Sequence, residues 1–158
     1  MVKRFNINNK NQLMNLLDFL KHQFAPDFYY TKDNKRIYIE KEKQLKELIK
    51  ECKDIWVLEE SGDTIGIIAV WASDGGEVKR DYIKICSKNY DTSDALLSVL
   101  LWNRTKETYI KIDKKAPMLN LFYRKGFKFL SGRGNQILLK RDKFIKKFYR
   151  SKNNKNYK

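Results

Sequence analysis

A mixed β-sheet with helices on both faces is the fold class the sequence predicts, and three observations predict it. The spacing of apolar residues switches between the helical period of 3.6 and the strand period of 2 along the 158 residues. Two β-rich runs, Ile55–Glu59 and Thr64–Trp71, are joined by the short turn Ser61-Gly62-Asp63, which makes a hairpin. An apolar helical stretch, 95–102, lies between two shorter extended runs, Tyr82–Cys86 and Tyr109–Ile112.

Each element has its own signal. Phe5 to Ile7 is short and extended, and Asn8 or Asn9 can cap the helix after it. From Lys10, the residues Leu13, Leu16, Leu17, Leu20 and Phe24 recur at three and four, one stripe of an amphipathic helix ending near His22, before Pro26. His22 is the one histidine, and a helix end is a structural place for it. Residues 25–40 read as irregular and aromatic, with Phe28, Tyr29, Tyr30 and Tyr38, a stretch that covers a cleft or caps a core. A second helix, about Lys41 to Cys52, turns Leu45, Leu48, Ile49 and Cys52 inward and its lysines outward.

After the hairpin, residues 72–80 with the pair Gly75-Gly76 form a loop, and Tyr82–Cys86 is a strand. Asp91-Thr92-Ser93-Asp94 looks like the start of the next helix, which carries Leu96, Leu97, Leu100 and Leu101. Tyr109–Ile112 is another strand. Pro117 opens a helix that reaches Arg124, with Gly126 just past its end. Phe127–Leu130 and Gln136–Leu139 flank the turn 131–135 as a last hairpin. No repeat or linker splits the chain. Residues 1–142 read as one domain and 143–158 as a basic tail.

Composition narrows the function classes. The chain holds 34 Lys and Arg against 19 Asp and Glu, a net charge of +15, so it draws polyanions. Nine of those cations fall in Lys140–Lys158 beside the single acid Asp142. The longest apolar run, Ile65–Ala72, is far short of the roughly 20 residues a membrane helix needs. Met1-Val2-Lys3-Arg4 leads into polar residues, without the apolar stretch of a secretion signal. Cys52, Cys86 and His22 make neither a disulfide framework nor a metal site, and two reduced thiols suit a cytoplasmic protein.

The order of elements resembles the GNAT superfamily of acyl-CoA-dependent N-acyltransferases over roughly residues 3–142. Three segments carry the resemblance: the hairpin Ile55–Trp71 with Gly66 in its second strand, the strand Tyr82–Cys86 running into the Leu-rich helix, and Leu121-Phe122-Tyr123-Arg124-Lys125-Gly126-Phe127. The last is similar to the family's late "F/L-Y-x-K-x-G-F" signature, shortened by one residue. The resemblance implies a mostly antiparallel sheet whose two parallel middle strands, 82–86 and 109–112, splay apart around acetyl-CoA. It implies cofactor contacts from Ile83, Ile85, Cys86, Lys88, Asn89, Ser93 and Phe122. It also implies Tyr123 as the acid that protonates the departing thiolate, and a carboxylate base, for which Glu59, Glu60 and Glu77 are available.

One departure stands out. Where the family has Q/R-x-x-G-x-G/A, this chain has Lys88-Asn89-Tyr90-Asp91-Thr92-Ser93, with Asp91 at a glycine position. Asp91 either opposes the phosphate or caps the helix in its place. The resemblance therefore implies an N-acetyltransferase acting on a primary amine of a small molecule or protein. The alternative is an inactive protein of the same fold that contacts nucleic acid or an acidic partner through its basic surface and tail.

Overall fold

The computed structural model describes residues 1–72 and 79–143. Glu77, the pair Gly75-Gly76 and the tail from 144 onward lie outside the described residues. The chain forms two compact units, Met1–Leu100 and a second from Leu101 onward.

The first unit begins with β1 (Val2–Arg4) and α1 (Lys10–His22). The strand falls slightly earlier than the extended run Phe5–Ile7, because Lys3 pairs with Val57 and only the Phe5 amide continues the ladder, to the Ile55 carbonyl at 2.9 Å. Asn9 is the cap of α1: its side chain accepts the Gln12 amide at 3.1 Å. Leu13, Leu16, Leu17, Phe19 and Leu20 are buried. Phe24, expected on that stripe, lies past the helix end and is 86% exposed.

Residues 25–40 are not irregular. They contain the hairpin β2 (Tyr29–Lys32) and β3 (Lys35–Tyr38), in which Tyr29 faces Tyr38. Its turn, Asp33-Asn34, takes φ of 53° and 62° at successive residues, the left-handed geometry that matches strand twist and that Asp and Asn tolerate. Next comes α2 (Glu42–Lys50), its start fixed by Gln44, whose side-chain oxygen accepts the amides of Glu40 and Lys41 at 2.7 and 2.9 Å.

The long hairpin is β4 (Cys52–Glu60) and β5 (Asp63–Ala72), with Ser61 and Gly62 at positive φ in the turn. β6 (Asp81–Ser87) pairs antiparallel with β5 from Gly66↔Ser87 to Ala72↔Asp81. One face of β5, Ile67, Ala69 and Trp71, packs into a core with Ile55 and Val57 of β4 and the leucines of α1 and α2. Fully burying each such side chain is worth about 1.5–3 kcal/mol.

The opposite face carries Gly66, and α3 (Tyr90–Trp102) lies over it. A Cβ at Gly66 would fall 2.6 Å from Thr92 Cγ2 and 2.8 Å from Leu96 Cδ1. With both faces covered, β5 reads as the continuous apolar run 65–72 rather than an alternating one.

The second unit holds β7 (Thr108–Asp113), α4 (Leu119–Arg124), β8 (Lys128–Arg133) and β9 (Gln136–Arg141). β9 pairs antiparallel with both β7 and β8. α4 starts two residues after the expected Pro117. It stops at a Schellman motif: the Phe127 amide donates to the Phe122 carbonyl and the Gly126 amide to the Tyr123 carbonyl, both at 3.1 Å. Gly126 supplies the positive φ of 93° this requires. The Phe122 and Phe127 rings close the motif edge to face, 5.4 Å apart.

Candidate functional site

The residues the sequence gathers most tightly for chemistry sit at the turn from β6 into α3. Ser87 ends the strand, and Lys88 begins the turn with its amide on the Ile65 carbonyl at 3.0 Å. Asn89 is the helix cap, its Oδ1 accepting the Thr92 amide at 2.9 Å and its backbone oxygen accepting the Ser93 amide at 3.2 Å. The expectation that Asp91 caps the helix is thereby corrected. Asp91 lies inside the first turn, past the position from which a side chain reaches those amides, and is exposed. Ser93 is fully buried and its hydroxyl shares a hydrogen bond of 2.5 Å with the Ser87 hydroxyl.

The first turn of α3 thus keeps its dipole, with the exposed Lys88 beside it. Asn89 takes one of its amides, and the Asp91 carboxylate opposes an incoming anion. For an anion, the turn thus sets Lys88 and the helix dipole against the Asp91 carboxylate and an amide already taken by Asn89.

The other expected residues divide. Ile83 and Cys86 are buried, and Ile85 is half-buried. Cys86 and Lys84 sit opposite Ile67 and Ala69 on the core face of the sheet, whereas Ile83 and Ile85 sit opposite Val70 and Ile68 on the α3 face. Burial pushes the Cys86 thiol up to about 11. Phe122, expected against a cofactor, is 0% exposed and packs edge to face on Phe127 in the Schellman motif. Its neighbour Tyr123 is exposed on α4.

Glu59 lies on β4, where Lys3 Nζ of β1 holds its Oε2 at 2.6 Å, and its Oε1 is buried without a hydrogen-bond partner. It pairs across the hairpin with Thr64, two strands from β6, a separation of about 10 Å at the usual strand spacing. The structure does not bring Glu59 to the β6–α3 turn. Glu60 is an exposed residue at the end of β4.

One cluster escapes sequence reading. Lys84, in the middle of β6, extends over the Trp71 ring at 4.5 Å and the Tyr29 ring at 4.8 Å. Arg36 lies over Tyr29 as well, at 4.6 Å. The signal is present in the aromatic and basic residues of 29–38, but only the hairpin turn at Asp33-Asn34 brings them to β6.

No family sequence model matches the chain, and no curated protein sequence does. Solved structures do. A GNAT-family acetyltransferase from Streptococcus pneumoniae aligns with a TM-score of 0.65 at 12% identity, covering 89% of this chain and 98% of its own. The yncA protein of Salmonella typhimurium, solved with its cofactor acetyl-CoA, aligns at 0.61 and 11% identity over 90% of this chain and 92% of its own. The PaiA N-acetyltransferase of Thermoplasma acidophilum, in complex with coenzyme A, aligns at 0.57 and 13% over 90% and 98%. The chain has the GNAT fold.

Proposed function

We propose that this protein is an N-acetyltransferase that moves an acetyl group from acetyl-CoA to a primary amine. The observation that carries this reading is the fold, shared over 89–90% of the chain with acetyltransferases that include complexes of acetyl-CoA and coenzyme A. The β6–α3 turn supports it, since Lys88 and the N-terminal dipole of α3 are suited to hold the cofactor's phosphates. When bound, acetyl-CoA supplies a thioester whose acyl carbon an amine can attack. Tyr123 presents an exposed phenol and is our candidate for the group that gives a proton to the departing thiolate. The Lys3 ammonium occupies the Glu59 carboxylate, which lies two strands from β6, so no proton is routed through it.

A second reading, a non-catalytic protein of this fold, is favoured by one observation: Asn89 fills part of the anion site from within, and Asp91 sets a negative charge beside it. Calorimetric titration with acetyl-CoA at moderate salt separates the two, with ATP as the control for general attraction to a protein of charge +15. The transferase reading expects saturable binding at least about tenfold tighter than ATP, retained as salt rises. Acetyl-CoA binding no tighter than ATP would sink it, and nucleic-acid binding would be measured next.

A further inference from the structure

Lys84 is a half-buried cation in an unusual setting. Its Nζ lies between two aromatic rings, Trp71 and Tyr29, and no carboxylate of the described residues comes within ion-pair distance of it. Arg36, which shares the Tyr29 ring, has no acidic partner within that distance among the described residues either. Among the described residues, two cations thus converge on one ring with no carboxylate in ion-pair contact. The rings offset part of the lost hydration, at roughly 0.5–2 kcal/mol per cation–π contact, but they leave the positive charge uncancelled. Burial lowers the Lys84 proton affinity, and the exposed Asp27 raises it from beyond ion-pair distance, with Cys52, Glu51 and Arg36 also in its field.

Trp71 adds a second observation. Its ring is held edge to face by Phe28 at 5.5 Å, and its indole N–H is buried without an acceptor. The cluster therefore offers two cations without an ion-pair partner among the described residues, with Tyr38 half-exposed beside Tyr29, over a Trp71 whose indole N–H is buried and unused.

We propose that the cluster of Tyr29, Arg36, Trp71 and Lys84 is a binding site for a small anion with a flat apolar body, an aryl carboxylate being the simplest member of the class. The carboxylate gives Lys84 and Arg36 the ion-pair partner that no described residue supplies, and its ring packs beside the aromatic side chains of the hairpin. Because both cations are already held against the rings and Lys84 is half-buried, the anion meets a preorganised site. This site is independent of the acetyl-transfer reading, and either can fail alone.

The test compares phenylacetate with phenylacetamide, which have nearly the same shape and differ in charge, by calorimetric titration of the full chain at low salt. Phenylacetate is expected to saturate one site and to bind at least about tenfold tighter than the amide. Lys84→Gln is expected to reduce that preference to less than about threefold, and so is Arg36→Gln, an exposed substitution that leaves the core intact if Lys84→Gln disturbs folding. Equal binding of the two probes, or a preference that survives both substitutions, overturns the proposal. Inorganic phosphate binding as tightly as phenylacetate also overturns it, since that result marks a general attraction to a basic protein.

Discussion

Cys52 and Cys86 show how two ordinary residues acquire a measurable signature from where the fold puts them. Both are free thiols. Burial pushes Cys52 up to about 12, Lys84 pulling slightly the other way, and Cys86 up to about 11. In the unfolded chain each ionises near its ordinary value of 9.0, so the native state gives stability that is complete below pH 9 and lost as pH rises from there to about 11–12. Each thiol costs on the order of 1.4 kcal/mol per pH unit within that window. Lys84 acts with the opposite sign, since its lowered value penalises the fold below it and that penalty lifts as pH approaches 10.5. Two thiols outweigh one amine. The denaturant midpoint is therefore expected to fall between about pH 8.5 and pH 10.5, and to fall less in a Cys52→Ala, Cys86→Ala double variant. An equal drop in both proteins would assign the loss to other groups.

Gly126 and Phe122 carry a different lesson at the same scale. The late segment Phe122–Phe127 is the most specific point of resemblance in the sequence, yet the structure gives it a structural role. Gly126 is there because φ of 93° suits no L side chain, and Phe122 because the motif needs an apolar contact with Phe127. Gly126→Ala is expected to cost about 1–2 kcal/mol in thermal or chemical unfolding. A neutral result would mean that the helix stop has another conformation available.

At the scale of elements, the sequence is legible wherever a helix or strand has a period and a punctuating residue. The leucine stripe of α1, the Gly62 turn of the long hairpin and the Gly126 stop of α4 all fall where spacing puts them. The β2–β3 hairpin is not legible because its turn uses Asp33 and Asn34 rather than glycine, and its strands are only four residues long. That omission hides the aromatic and basic cluster, since Tyr29 and Arg36 reach Lys84 only through the hairpin. The cap of α3 falls two residues before Asp91, which resembles a cap in sequence, because the Asn89 carboxamide is the side chain in reach of the Thr92 amide.

Two substitutions test α3. Gly66→Ala drives a methyl into Thr92 and Leu96 and is expected to cost about 1–3 kcal/mol, read as a lowered denaturation midpoint. A cost near zero would mean that α3 shifts away from β5 freely. Asp91→Asn removes the charge that opposes a phosphate while keeping the side chain's size. If the transferase reading holds, acetyl-CoA is expected to bind about threefold to tenfold tighter, within the range for an exposed charge a few ångströms away. Unchanged affinity would place the phosphates elsewhere.

Net charge is a property of the whole molecule, and its consequence does not depend on any one element. Among the described residues no helix is long and apolar enough to cross a membrane, so the positive charge has no transmembrane helix there to orient. Residues 143–158 carry seven Lys and Arg and no acid. Nucleic acid releases counter-ions in proportion to the phosphates a protein neutralises, so log affinity falls with log salt by about 0.9 per contact. Replacing those seven residues with Gln is expected to flatten the salt slope for duplex DNA by several units if the tail makes the contacts, and to leave acetyl-CoA binding unchanged. An unaltered slope would locate the contacts on the folded units instead. The two readings of function then separate at this scale. A transferase loses nothing from the substitution in its cofactor titration, whereas a nucleic-acid-binding protein that grips through its tail loses most of its affinity and keeps its fold.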